Sequence, residues 1–295
     1  MGRSEPGRRR SVLSVFVGVV FLASFIASSQ KGSHAVRELS AAPASPTQSK
    51  MLQVGEELEY RVSYSFFNIG TIRIQVIDKE EKEGMTVYRA QALMDSNPSL
   101  SWLLDLHIRF LSEMDANIFS YMWISDDSSN HDVNFRRFQF DYDSSRVFSE
   151  EGKKLPSGER NVESFDTLSI NGRCQDGLSL FFYARENVRQ KNQVRVPTLI
   201  EKKEEYTDIN FMNKRTDIEV DAIDYPVEVV EFEGEAEYVG VFGLTGGFRG
   251  WFSNDDARVP IVARMNVILG SIKIQLVKWN RPGWQPPKYV EGTGK

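Results

Sequence analysis

Residues Gly246–Pro260 read GGFRGWFSNDDARVP, and Ile261 to Leu276 follow as the returning strand and its neighbour. Apolar and aromatic residues run into Ser253, Asn254, Asp255 and Asp256, all turn formers. The chain then resumes with Val259, Ile261, Ala263 and Met265 on one face and Arg258 and Arg264 on the other. This is the pattern of a β-hairpin. Asn and Asp side chains in a turn bond to their own backbone, and Pro260, which has no N–H, belongs near the strand start, where the ladder needs no donor. The glycines of Gly243 to Gly250 enter a strand rather than a helix, which excludes a dinucleotide phosphate cradle and suits strand bending.

The same period of two recurs upstream. Leu58, Tyr60, Val62, Tyr64 and Phe66 alternate with Glu57, Glu59, Arg61, Ser63 and Ser65, so this strand has one face inward and one in water. After Asn68-Ile69-Gly70 the alternation returns as Ile72, Ile74 and Val76. A third run, Val87 to Met94, follows a charged turn at Lys79 to Gly84 and completes a meander. Asn97-Pro98-Ser99 predicts one short helix capped by Ser99, with Leu100, Leu103 and Leu104 at helical spacing. Trp102, Leu103 and Leu104 are expected in the core, the alternative being an apolar lip.

Strands resume near Arg109–Asp115, Tyr121–Ser125, Val133–Asp141 and Ser145–Phe148. Phe135, Phe138 and Phe140 do not share a parity, which predicts a bulge near Arg136-Arg137. Residues 149–175 read as loop with one edge strand. Asp176 to Arg185 predicts a second helix, with Asp176 as its cap, Leu178, Phe181 and Phe182 on one side and Arg185 at its carboxyl end. Further strands follow at Val194–Ile200, Glu204–Met212, Thr216–Ala222, Val227–Phe232, Ala236–Phe242 and Ser271–Lys278, and their acidic residues at alternate positions mark a solvated face. The expected fold is mainly β: a single large antiparallel, strongly curved sheet, half-barrel or barrel, with one or two short helices.

The amino end is of another kind. Arg3, Arg8, Arg9 and Arg10 precede an uncharged apolar run, Val12 to Ala27, and then small residues. Residues 1–29 therefore read as a signal peptide, cleaved near Ala27-Ser28-Ser29 or Ser33-His34-Ala35, or retained as a signal anchor. Residues 30–50 are a flexible tether, 51–280 the sheet domain and 281–295 a tail. The lone Cys174 excludes an internal disulfide and a lipoprotein anchor next to the signal. Of 36 basic and 41 acidic residues, six and two lie in residues 1–49, leaving 30 and 39 and a net charge of −9. An acidic body argues against nonspecific nucleic-acid binding. The expected location is the periplasm or cell envelope.

Three stretches together resemble a known family: Val54 to Tyr60 with Gly55 at its opening, Asp176-Gly177-Leu178-Ser179 with Tyr183 and Arg185, and Gly250 to Pro260 with Trp251, Ser253, Asp255 and Asp256. They are similar to the bacterial exported family catalogued as domain of unknown function 3108. The resemblance implies an envelope location and an all-β body but no chemistry, so these residues are expected to be structural. The final hairpin is also similar to that of the outer-membrane lipoprotein carrier and receptor proteins, whose curved sheet encloses an apolar groove.

Asp255 and Asp256 are the paired carboxylates a hydrolase would use, and that is the third-ranked reading. His34, His107 and His131 have no shared metal spacing, and Gly-x-Ser-x-Gly and His-Glu-x-x-His are both absent. The oxygen-rich run Asp126 to Asp132 lacks the glycine and glutamate of an EF-hand loop. No metal, cofactor or catalytic residue is expected. The leading expectation is a non-catalytic envelope protein that binds a lipid or other amphiphile on its concave face, with Trp102, Phe181, Phe182 and Trp251 near the groove. The alternative is an envelope scaffold or partner-binding module with a self-filled core. Membrane contact is expected only through the N-terminal segment, if uncleaved.

Overall fold

The computed structural model describes residues 51–102, 105–129, 132–238, 244–267 and 270–291. The signal and tether expected over residues 1–50 lie outside the described residues, as do Leu103, Leu104, His131 and Gly243. In chain order the strands are β1 (Glu57–Tyr64), β2 (Phe67–Lys82), β3 (Met85–Ser96), β4 (His107–Asp115), β5 (Ser120–Asp127), β6 (Val133–Asp141), β7 (Arg146–Lys154) and β8 (Arg160–Ser169). Helix α1 (Gly177–Asn187) intervenes, and then come β9 (Asn192–Ile200), β10 (Lys203–Val220), β11 (Ile223–Ala236), β12 (Leu244–Ser253), β13 (Pro260–Val267) and β14 (Ser271–Asn280).

The fourteen strands of the described residues form one sheet in the order β8-β7-β6-β5-β4-β3-β2-β1-β14-β13-β12-β11-β10-β9. Neighbours are antiparallel throughout and consecutive in sequence, except that β14 returns to pair with β1. β8 and β9 do not pair, so the sheet is a half-barrel rather than a closed barrel. Its edges are still guarded. The chain before α1 runs beside β9, where Gln175 N–H donates to Pro197 O at 2.9 Å and Leu199 N–H to Gln175 O at 2.7 Å. Lys202 reaches across to Glu151 and Asp166 at 2.9 and 2.7 Å.

Alternation decides which wall is dry. Leu58, Tyr60 and Val62 are buried, and so are Ile74 and Ile72 opposite the first two, with Val76 next along β2, on the face that receives α1. Glycines and phenylalanines interlock further along that face. Phe232 pairs with Gly250 and Gly234 with Phe248 in the β11–β12 register. A Cβ on Gly250 would lie 2.2 Å from the Phe232 ring, and one on Gly234 would lie 2.3 Å from the Phe248 ring. Each ring occupies the space its partner glycine leaves open.

Several expectations need correction. The helix expected from Asn97 is a single 3-10 turn, Pro98–Leu100, capped by Asn97 rather than Ser99. Ladder bonds on either side, Asn97 N–H to Ile69 O and Ser96 N–H to Leu106 O, leave the connection little length for a helix. Trp102 is exposed, not packed in the core. No bulge occurs at Arg136-Arg137, because the β6 register is unbroken on both sides. Phe135 instead faces away from Phe138 and Phe140, opposite Gly152 and under the Arg160 guanidinium at 5.4 Å. The irregularity falls at Glu151/Gly152.

Residues expected as two strands either side of Asn213 form one, β10, broken only by a register shift between Phe211 and Lys214. β11 runs on to Ala236, and Glu237 and Tyr238 lie in a bend rather than in a further strand; the remainder of that expected strand is outside the described residues. The charged turn expected from Lys79 narrows to Glu83-Gly84, and the polar run after Phe148 is the β7–β8 hairpin, with β8 as the edge strand. Glu231 leaves the solvated row: it is buried, with Lys214 at 2.9 Å and Arg249 at 3.3 Å. The expected tail is engaged through Tyr289, whose N–H donates to Pro226 O at 2.9 Å while Pro287 O accepts from Glu228 N–H at 2.8 Å.

Candidate functional site

Helix α1 crosses the inner face, and both its ends are held by polar groups. At the amino end the Asp176 side chain caps the helix, accepting from the N–H groups of Leu178 and Ser179 at 2.7 and 2.8 Å. Its other oxygen accepts from the hydroxyls of Ser112 on β4 and Ser120 on β5, at 2.5 and 2.6 Å. Ser179 completes a capping box by accepting from Asp176 N–H. The carboxyl is wholly buried. Burial pushes its pKa up, against the pull of the hydroxyl and amide donors.

At the other end, Arg185 is the largest fully buried side chain among the described residues. Its guanidinium meets Glu56 in a two-pronged pair, Nη1 to Oε1 at 2.5 Å and Nη2 to Oε2 at 2.8 Å. Nε and Nη2 also donate to Ala257 O, at 3.0 and 2.9 Å. Arg281 bonds to the same carboxylate. Burial alone would raise the Glu56 pKa, but Arg185 and then Arg281 outweigh it and hold the group below the usual carboxylate range. Glu56 is positioned by Gly55, whose φ of +86° turns the chain so that Gly55 N–H donates to Val76 O and Val76 N–H to Glu56 O.

The β12–β13 turn closes over this pair. Asp255 Oδ1 accepts from the Ser253 hydroxyl at 2.8 Å and from the Ala257 and Arg258 N–H groups at 3.0 Å. Its Oδ2 accepts from Trp284 Nε1 at 2.7 Å. Ser253 Oγ accepts from Val259 N–H at 2.8 Å, and Pro260 opens β13 opposite Phe252. Asp256 points elsewhere: it is exposed and pairs with Arg189 at 3.2 Å. The two carboxylates thus have separate surroundings, and Asp255 spends one oxygen on the turn and the other on Trp284.

The three stretches that carry the family resemblance therefore meet at one end of the sheet. Gly55, Asp176, Gly177, Arg185, Ser253, Asp255 and Pro260 serve its architecture. Gly250 does so from the inner face, beneath Phe232.

The residues expected at a ligand groove do not converge. Phe182 is fully buried on α1 with Phe181 edge-on to it, ring centroids 5.2 Å apart. Trp251 alternates with Gly250 and Phe252 on β12, is buried in the main apolar cluster, and has the Arg264 guanidinium over its ring at 5.7 Å. Trp102 stands on the far rim. Sequence reading missed Glu56, Arg281 and Trp284 as partners of this end. Glu56 stood next to the singled-out Gly55, but nothing in a Pro- and Gly-rich tail distinguishes Arg281.

Other chemistry-bearing groups are accounted for. Cys174 is buried, and burial pushes its pKa up to about 12, which keeps it a thiol. His107 is bonded to Asp95 at 2.7 Å and lies 3.2 Å from Asp105; the hydrogen bond that its ring makes to Asp95 leads in raising its pKa. Among the described residues no three His, Cys, Asp or Glu are grouped to hold a metal ion. On the outer face a cleft of about 520 Å³ lies between Leu93, Ile108, Asp126, Val133, Lys154 and Leu155. One Asp126 oxygen there is buried without a hydrogen-bond partner. No helix among the described residues is long and apolar enough to cross a membrane.

Residues 59–277 match the family described as Protein of unknown function (DUF3108). No curated protein matches the chain. Among solved structures, a β-barrel-like protein of domain of unknown function DUF1849 from Brucella abortus is 9% identical, with a TM-score of 0.48, covering 77% of this chain and 97% of that one. A hypothetical protein from Chlamydia trachomatis is 10% identical (TM-score 0.32, covering 82% and 96%). An exported-protein candidate with a YmcC-like fold from Bacteroides fragilis is 8% identical (TM-score 0.29, covering 78% and 97%).

Proposed function

Because the chain belongs to the DUF3108 family, whose description assigns no chemistry, we propose from its geometry that it is an exported, non-catalytic scaffold or partner-binding module of the cell envelope. The observation that carries this reading is the filling of the inner face. Where a curved sheet would hold a ligand, α1 lies packed, with Phe182 and the Arg185–Glu56 pair fully enclosed. Lifting α1 away would expose Leu178, Phe182 and the apolar sheet face beneath them to water, so such an interior resists opening for cargo. Contacts with other molecules are then made from the surface.

Bound amphiphile is the second reading, and the outer cleft favours it. Leu93, Val133 and Leu155 are among its lining residues, and Asp126 Oδ1, buried without a hydrogen bond and 3.9 Å from Arg160, can accept a hydroxyl or amide hydrogen. Mass spectrometry of organic extracts of the protein purified from its native host separates the two. The scaffold reading expects no stoichiometric amphiphile. A lipid released only on unfolding would overturn it in favour of an interior ligand, and one lost from Leu93→Asp protein would place it in the outer cleft. A hydrolytic activity lost in Asp255→Asn at unchanged melting temperature would overturn both.

A further inference from the structure

The end of the sheet away from Arg185 carries a second feature. β1 ends at Tyr64, Ser65 turns the chain with φ +53°, and β2 starts at Phe67. The connection from β3 to β4 leaves from Ser96 at the same end. The two are tied together: Asn97 N–H donates to Ile69 O and Asn97 Nδ2 to Asn68 O, both at 2.9 Å. This double loop carries Phe66, 83% exposed, Trp102, 77%, Phe67, 54%, and Tyr64, 39%. Those are four of the five exposed aromatic residues among the described residues. The Phe66 and Phe67 rings lie 4.2 Å apart and cover each other only in part.

Among its described residues the lip is uncharged over residues 65–68 and 97–102, and it carries charge at its flank, where two carboxylates share one imidazole. Its polar residues are Ser65, Asn68, Asn97, Ser99 and Ser101, and the flanking Asp95 and Asp105 both engage His107. The four rings expose roughly 500 Å² at about 200 Å² each, short of the ~800 Å² per partner that a stable protein interface buries. Aromatic rings beside uncharged hydrogen-bonding groups match the interfacial layer of a bilayer, which yields to projecting side chains as a shaped protein surface does not.

We propose that this lip docks the protein on an uncharged, zwitterionic bilayer surface, with Phe66, Phe67 and Trp102 entering the acyl boundary and Tyr64 at headgroup level. The proposal goes beyond the scaffold reading and does not depend on how the interior is filled.

The test compares parent protein, Phe66→Ser/Phe67→Ser/Trp102→Ser and Trp102→Phe, each purified in its exported form with identical N-termini. They are mixed with phosphatidylcholine vesicles, plain or brominated on the acyl chains. The parent should co-sediment, and its fluorescence should be quenched by the brominated lipid. The triple variant should bind at least about tenfold more weakly, since binding scales with inserted apolar area, at an unchanged melting temperature. Trp102→Phe should bind but lose most of the quenching. Equal sedimentation of parent and triple variant would overturn the proposal, as would quenching unaffected by Trp102→Phe. Binding that needs anionic lipid and disappears in salt would overturn it too, and so would a concentration-dependent dimer abolished in the triple variant. A co-purifying interior lipid would sink the scaffold reading and leave these outcomes unaltered.

Discussion

The two ends of this sheet are finished in opposite ways. At one, a carboxylate and two guanidinium groups are sealed beneath a turn and the C-terminal segment; at the other, aromatic rings project from two short connections into solvent. The difference separates what is recognisable from what is available. The three stretches that carry the resemblance contribute to the sealed end or the packed face, and none contains Phe66, Phe67 or Trp102, although the family match over residues 59–277 spans all three. Closure demands complementary partners at fixed places, whereas an exposed lip demands only apolar character at a loop tip.

Substitution should reveal the same division. Glu56→Gln has the largest expected effect: it leaves two buried guanidinium groups without their carboxylate and should cost about 3–5 kcal/mol, read from urea unfolding. A loss below about 1 kcal/mol would mean that the sealed end is not what holds α1. Gly250→Ala comes next, because its methyl group meets the Phe232 ring; overpacking should cost about 1–3 kcal/mol, partly relieved in Gly250→Ala/Phe232→Leu. No relief in the double variant would remove the glycine–ring account.

Acidification tests the two buried carboxyls by sign. The folded pKa of Glu56 is lowered, so its contribution is present above its unfolded value of 4.5 and is lost as pH falls through the folded value. The folded pKa of Asp176 is raised, so its contribution is greatest below 3.8 and is lost as pH rises through the folded value. Stability measured from pH 7 down to pH 3 should therefore fall less steeply in Glu56→Gln than in the parent. In Asp176→Asn, which keeps the cap, it should fall more steeply. The reverse order would show that these groups do not govern the acid limb.

Smaller effects come from the turn and the lip. Asp255→Ala should cost about 1–2 kcal/mol, while Asp256→Ala, which loses only a surface pair, should stay within about 0.5 kcal/mol; equal losses would contradict the separate surroundings described above. Phe66→Ser should change the melting temperature least of all, since its ring is already in water. A marked fall there would mean that the lip packs against the body.

Much of the fold was legible because its signals are local. The alternation from Leu58 to Val62, the turn at Asn254-Asp255 and the cap at Asp176 each act within a few residues, and each occurs where the pattern puts it. Errors arose where a neighbour overrode the local pattern. Phe135 broke parity because it serves the other face, sheltered by Arg160 and by the absence of a side chain on Gly152. The expected strands Glu204–Met212 and Thr216–Ala222 run together, because β11 continues alongside and the gap between them becomes a register shift at Phe211/Lys214. The tail looked unstructured because its partners, Glu56, Asp255 and Pro226, come from distant parts of the chain.

By itself the sequence determined that this protein is a pleated sheet with one dry face and one wet face, since two-residue periodicity is written residue by residue. Only the tertiary structure decided which end is sealed and which is bare. Arg185 finds Glu56 across 129 positions, and β14 must return to β1 before Arg281 can reach the same carboxylate. Charge pairing of that kind depends on where the curved sheet brings its ends, and no local pattern encodes it.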